Sequence, residues 1–483
     1  MTPLRDAEPS LVAGVDSSTQ STKVLVCDVD TGEVVREGRA PHPDGTEVDP
    51  QEWWAAYGRA TSGGLLDGVS AIAVAGQQHG MVVLDGESEV VRPALLWNDT
   101  RSAQAAAELV AELGGPAAWA EAVGTVPLAS ITVSKLRWLA THEAENAARV
   151  EGVGLPHDWM TAMIVGGGRL SGVQLATDRG DASGTGYWSP REGRYRPELL
   201  TRAFGREIGT PAVLQPDEPA GTTSSGLVVG AGTGDNMGAA LGLGLGPGDV
   251  VVSLGTSGTV FAVAEHPSAD PSGFVAGFAD ATGRYLPLVC TLNAARVLSA
   301  AAAMLGTDLA GLERLALAAA PGSGGLTLLP YLDGERTPDL PHSTGMMGGL
   351  TRSNMTPENF ARAAVEGMLC GLADGLDALR GMGVPVERVL LVGGAARSAA
   401  VQSVAAGIFG AAVAVPEPVE YVALGAARQA AWALARSRGE PADLPLWSLR
   451  MRRLPEPVPQ PAGSWAEDVR SAYAGLRSAV YGA

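Results

Sequence analysis

One pattern occurs twice in this chain, and it constrains the fold more than any other feature. In the first copy a strand, Leu11-Val12-Ala13-Gly14-Val15, ends on Asp16. A polar turn follows, Ser17-Ser18-Thr19-Gln20-Ser21-Thr22, and a second strand returns over residues 23–29. Asp30-Thr31-Gly32 is a turn signal, and residues 33–39 complete an antiparallel meander. In the second copy residues 249–254 are the strand, Gly255-Thr256-Ser257-Gly258 the turn, and 259–264 the return. The two turns lie roughly half a chain apart, a spacing that predicts two domains of one design.

A second pair supports the duplication. A strand over 69–75 runs into Gly76-Gln77-Gln78-His79-Gly80; a strand over 386–392 runs into Gly393-Gly394-Ala395-Ala396-Arg397-Ser398, then a helical run over 399–409. Helical stretches over 52–62, 102–113 and 357–379 between strands give an α/β architecture. A chain of 483 residues also exceeds one ordinary core. The expected division is residues 1–231, 232–445 and a tail over 446–483. Its boundary falls in the glycine-rich stretch 227–236, and a cleft between the halves is the expected ligand site.

A short turn of Gly, Ser and Thr directs several N–H and hydroxyl groups at one point, which suits phosphate oxygens. Such turns are also ordinary hairpin connections. Their recurrence in equivalent places favours a grip on a polyphosphate. The common phosphate loops are missing: lysine occurs only at Lys23 and Lys135, neither in a G-x-x-x-x-G-K-[ST] run. Asp16 at a phosphate turn makes sense with Mg²⁺ between the anions, or simply as a turn-initiating Asp. Asp235, between Gly234 and Asn236, fits a proton acceptor for a hydroxyl attacking phosphorus, or a cap on a helix over 236–241. Gln77, Gln78 and His79 offer neutral hydrogen-bonding groups to a polyhydroxyl ligand, although a lone His there also reads as structural. Trp97-Asn98-Asp99 combines a flat apolar face with acceptors, a sugar-recognising set, or else a core Trp before a helix cap at Asp99.

The formal net charge of −18 disfavours nucleic acid and anionic membranes as partners, since both call for a basic surface. Residues 1–8 lack an apolar run after their charges, no window is long and apolar enough for a membrane span, and Cys27, Cys290 and Cys370 are scattered. A cytoplasmic protein in a reducing compartment is expected.

Taken in order, these segments resemble the FGGY carbohydrate kinases, nearest to their xylulokinase branch, over essentially residues 11–440. The resemblance rests on Gly14-Val15-Asp16 with Thr19, the Gly76–Gly80 loop, Trp97-Asn98-Asp99, Gly234-Asp235-Asn236, Ser253–Gly258, residues 329–338 (Leu-Pro-Tyr-Leu-Asp-Gly-Glu-Arg-Thr-Pro) and Gly393–Ser398. It implies two actin-like (ribonuclease H-like) ATPase domains flanking a cleft. It also implies ATP-dependent phosphorylation of D-xylulose at the 5-hydroxyl to D-xylulose 5-phosphate, with ATP and Mg²⁺. Asp235 would be the general base; Gln78, His79, Asn236, Trp97 and Asp99 would hold the sugar. Thr19, Gly255, Thr256, Ser257, Gly393 and Gly394 would hold ATP, and Asp16 the metal. Gln78 stands where many relatives have Met, which favours a backbone role there, and Ala395 replaces a third glycine. The alternatives are a family member acting on another ketose or polyol, and a non-catalytic actin-like ATP-binding protein. The resemblance leaves room for a homodimer, and for residues 329–338 as a hinge, a cleft wall or a subunit contact.

Overall fold

Strands Leu11–Ser17 (β1) and Ser21–Asp28 (β2) are buried on both faces, so they read as near-continuous apolar runs rather than alternating ones. Val34–Pro41 (β3) alternates in exposure, as an edge strand does. The computed structural model describes residues 10–440, 443–452 and 465–482; residues 1–8, read above for a leader, lie outside these. β1 pairs antiparallel with β2 and parallel with Val69–Gly76 (β4). Pro219–Thr222 (β5), Val228–Gly230 (β6) and Thr233–Gly234 (β7) complete a seven-stranded sheet, β6 and β7 both parallel to β4.

Helices Pro50–Ala60 (α1) and Pro156–Val165 (α2) share a core with this sheet. Asp49 caps α1 by accepting from Gln51 N at 2.9 Å. Trp53 and Trp159, both buried, meet edge to face with centroids 6.2 Å apart. The short helix Arg179–Ser183 (α3) is capped by Asp178, and Asp235–Gly242 (α4) follows β7 directly.

The second unit repeats the scheme. Asp249–Leu254 (β8) pairs antiparallel with Gly258–Ala262 (β9) and parallel with Arg388–Val392 (β11), as β1 does with β2 and β4. Tyr285–Thr291 (β10) lies beside β9, and Ala412–Ala414 (β12) beside β11. Helices Ala295–Met304 (α5), Pro357–Gly381 (α6) and Ala399–Phe409 (α7) belong to this unit. The duplicated hairpin is therefore real in topology.

The linear division is not what the compact units follow. One comprises residues 1–245, 264–286 and 419–449; the other 246–263, 287–418 and 450–483. The expected boundary 227–236 is instead β6 and β7, tied to β4 by backbone pairing. Helix Tyr421–Ser437 (α8), expected in the second domain, packs on β1, β4 and α4 of the first unit. A Cβ on Gly14 would lie 1.8 Å from Ala423 O, and one on Gly425 1.9 Å from Gly238 O. Only glycine lets these backbones approach so closely. Within the expected tail over 446–483, the described helix Trp465–Tyr481 packs into the second unit: Tyr473 is buried there, its hydroxyl 3.3 Å from that of Tyr331.

Candidate functional site

The predicted residues form two groups, one in each unit. In the first, the ends of β1 and β4 bring Asp16, Thr19 and the Gln77–His79 loop to one edge of the sheet, because β1 and β4 run parallel with Ser17 opposite Gly76. Asp16 is 1% exposed, accepts a hydrogen bond from Ser18 Oγ, and lies 3.2 Å from Lys23 Nζ, which also pairs with Glu420 at 2.7 Å. Burial pushes its carboxyl above the usual range, opposed by Lys23 and Ser18.

Trp97 Nε1 donates to Thr19 Oγ1 at 2.8 Å, and Thr19 Oγ1 donates to Gln77 Oε1 at 3.3 Å. Asn236 Nδ2 donates to Gln78 Oε1 at 3.1 Å and to Asp235 Oδ1 at 2.9 Å. Gln77 and Gln78 are buried, yet among the described residues Nε2 of each has no hydrogen-bond partner. Two orphaned buried amides call for acceptors from outside the chain. His79 holds φ +65°, a costly value for a residue with a side chain, and its Nδ1 lies 2.8 Å from Gly184 O. Its ring leans on Phe278, centroids 5.5 Å apart.

Asp235 is not a cap: the helix begins with it and Gly234 holds the N-cap position. Its Oδ1 accepts from Asn236 N at 2.8 Å. Burial, then the nearby Asp16 and Asp181 carboxylates, push its carboxyl up to about 7. A carboxylate that takes a proton near neutrality is suited to general-base work. Asp99 departs from expectation. Its oxygens accept from Thr46 Oγ1 at 2.8 Å and from Arg101 Nε at 2.9 and 3.0 Å, and the next helix is capped at Ser102. Burial opposes its charge, but Arg101 and Thr46 outweigh burial and hold it below the usual range. Asp99 thus anchors the Trp97 loop through Thr46 and Arg101.

Sequence reasoning missed a buried cluster beneath this group. His157 Nδ1 lies 2.6 Å from Asp181 Oδ2 and its Nε2 3.3 Å from Asp158 Oδ1, all fully buried. Burial disfavours the charged ring, but Asp158 and Asp181 outweigh it and raise His157 to about 9. Their ligand atoms lie within 4.8 Å of one another, the spacing of a metal site, and Nδ1 stands at hydrogen-bond distance from Asp181. The ring also shapes the turn that leads into Asp235: a Cβ on Gly232 would meet His157 Cδ2 at 2.5 Å, and Asp178 accepts from Thr233 Oγ1 at 2.7 Å. The pair Asp178 and Asp181 around Gly180 was the available signal. A separate cavity of about 340 Å³ is lined by Tyr187, Tyr195 and Arg196 among others, none a predicted site residue, so concavity alone does not find the site.

In the second unit the β8–β9 turn carries Gly255, Thr256 and Ser257, and β11 ends beside it on Gly393. Gly393 has φ +93°, and a Cβ there would lie 2.7 Å from Leu254 O; Gly394 has open space in front of it. The two glycines therefore differ. Gly393→Ala is expected to cost about 1–3 kcal/mol of stability, while Gly394→Ala folds normally. Thermal denaturation of both variants checks this; equal melting points would refute it.

Residues 11–244 match the FGGY family of carbohydrate kinases, N-terminal domain, and residues 250–434 match its C-terminal domain. A xylulose kinase of Streptomyces coelicolor is 49% identical over 440 residues, 88% of each chain. One from Escherichia coli is 33% identical, covering 80% of this chain and 82% of its own. The crystal structure of xylulose kinase from Bifidobacterium adolescentis superposes with a TM-score of 0.88 at 43% identity, covering 97% of this chain and 99% of that one. The expected α/β fold of two actin-like domains holds.

Proposed function

Because the chain belongs to the FGGY family of carbohydrate kinases, we propose that it transfers the γ-phosphoryl group of ATP to the 5-hydroxyl of D-xylulose, giving D-xylulose 5-phosphate and ADP. Two lines support the sugar: the named activity of relatives at 49% identity, and the orphaned amides of Gln77 and Gln78 next to Asn236. The observation that carries the reaction type is Asp235, whose proton affinity is set near neutrality beside those amides. As the sugar oxygen attacks phosphorus, Asp235 takes its proton; the rest of catalysis is positioning and charge stabilisation.

Gln78, His79, Asn236 and Trp97 hold the sugar in this reading, with Asp99 acting through the Trp97 loop. Thr19, Gly255, Thr256 and Ser257 hold phosphate oxygens, and Gly393 and Gly394 let the nucleotide approach the backbone. The residues around Asp16 fit Mg²⁺, because burial keeps the proton affinity of its carboxyl raised even with Lys23 Nζ at 3.2 Å and Ser18 Oγ donating to it, so a further cation is favoured there. Mg²⁺ supplies charge neutralisation on the triphosphate.

A panel of D-xylulose, D-ribulose, D-gluconate and glycerol with the purified chain, Mg²⁺ and ATP tests the proposal through ADP release. D-Xylulose is expected to give the highest kcat/KM, and ADP release without sugar to be slow. A higher kcat/KM for another acceptor would overturn the substrate, and sugar-independent hydrolysis at full rate would overturn the reaction.

A further inference from the structure

Residues 329–338 contain Glu335, a carboxylate only 3% exposed. Its Oε1 accepts from Leu292 N at 2.7 Å and from Arg336 N at 2.8 Å, and its Oε2 accepts from Asn293 Nδ2 at 2.9 Å. Asn293 Nδ2 donates also to Gly334 O at 2.7 Å, while its Oδ1 accepts from Leu332 N at 3.0 Å. Thr337 Oγ1 donates to Cys290 O at 2.8 Å. The segment is thereby stapled along residues 290–293, the stretch that joins β10 to α5. The consequence of these bonds lies one residue further on.

Ala295 N, at the start of α5, donates to Gly255 O at 2.9 Å. Arg296 Nε donates to Thr256 O at 3.2 Å, and Arg296 Nη1 is held by Asp333 Oδ2 at 2.6 Å. The carbonyls of Gly255 and Thr256 in the β8–β9 turn are therefore pinned toward α5. In a trans peptide the N–H points opposite to the C=O of the same unit. Pinning Gly255 O and Thr256 O toward α5 thus turns the N–H groups of Thr256 and Ser257 to the other side. Two successive N–H groups on one side make an anion cradle.

We propose that Glu335 and Asp333 are positioning residues for the phosphate turn, acting through Asn293, Ala295 and Arg296 to fix the peptide orientation at Gly255 and Thr256. This rests on the reading that Gly255–Ser257 hold ATP phosphate. It gives residues 329–338 a role inside one unit, where the sequence had suggested a hinge, a wall or a subunit contact.

The test uses the full chain and three variants, Glu335→Gln, Asp333→Asn and Arg296→Ala, with the β,γ-imido analogue of ATP and AMP as binding probes. Glu335→Gln replaces a buried acceptor by an amide facing Asn293 Nδ2, and is expected to weaken the analogue and raise KM for ATP by about tenfold. Arg296 and Asp333 are partly exposed, so their variants lose about threefold, with melting points close to wild type. AMP affinity and KM for the sugar stay within about twofold, a split that general destabilisation does not produce. Should Glu335→Gln fail to fold, the two surface variants carry the test. Ser257→Asp separates the underlying reading, since a carboxylate in the cradle repels phosphate. If it binds the analogue as wild type does, the phosphate turn itself is misassigned. If it loses the analogue while every folded variant of the other three keeps wild-type affinity, the positioning role alone is overturned.

Discussion

Replacing Asp235 by alanine is expected to lower turnover by about 10²–10⁴-fold while leaving sugar binding in place. The loss reflects one proton acceptor removed from a site whose positioning groups remain, so kcat should fall and the dissociation constant for the sugar should hold. Turnover within tenfold of wild type would remove Asp235 from the chemistry. The pH profile gives a second check. With its carboxyl pushed up to about 7 by burial and by Asp16 and Asp181, the ionised form is depleted below neutrality. The kcat/KM of the wild type should then fall tenfold per pH unit on the acid side of about pH 7. An acid limb near pH 4 would mean that Asp235 is not the titrating base.

The same residue should weaken the fold. Its native proton affinity, about 7, lies above the ordinary 3.8. The native state therefore binds more protons than the unfolded state between these values, and stability falls as pH rises through that window. Asp235→Asn removes this dependence. At pH 8 the variant is expected to be more stable than wild type, by on the order of 1–3 kcal/mol, with the gain vanishing toward pH 4. Denaturant titrations at the two pH values check the sign. A site that costs stability where it carries chemistry is the usual pattern.

The largest expected effect on folding comes from Gly14. The Cβ of Gly14→Ala would sit 1.8 Å from Ala423 O and 2.3 Å from Ala427 N, both backbone atoms of α8. No rotamer change relieves a clash with backbone, so the helix must move off β1 or the strand must distort. Overpacking of this kind costs about 3 kcal/mol or more, and a larger side chain such as Val should prevent folding of the first unit. A melting temperature for Gly14→Ala within about 2 °C of wild type would show that α8 yields more easily than this packing allows.

Much of the candidate site was legible because it is local. The hairpins over 11–28 and 249–262 announce themselves by apolar runs broken by hydroxyl-rich turns, and both strands of each form as expected. Asp235 stands out because Gly232-Thr233-Gly234 leads directly into it. Asp99 was ambiguous in the sequence, because its type and place fit a ligand or a cap equally. Only its neighbours in space, Arg101 and Thr46, show that both its oxygens are occupied. His157 gave no signal of its own, since its partner Asp181 lies 24 residues away along the chain. Glu335 sat in a recognisable segment, but its bonds to Leu292 and Asn293 span more than 40 residues.

The order of residues alone determined the two strand–turn–strand units, the turns that can cradle phosphate and the carboxylate that ends a glycine-rich stretch. These depend on backbone preferences and side-chain types within a few positions. Tertiary structure alone decided which sheet the alanine-rich helix Tyr421–Ser437 covers, and so where one unit ends and the other begins. Its periodicity says that one face is buried but not against what. The partner is chosen by shape: Gly14, Gly238 and Gly242 leave room for a helix backbone. The proton affinity of Asp235 was decided there too, because it depends on desolvation and on charges that chain order does not bring near.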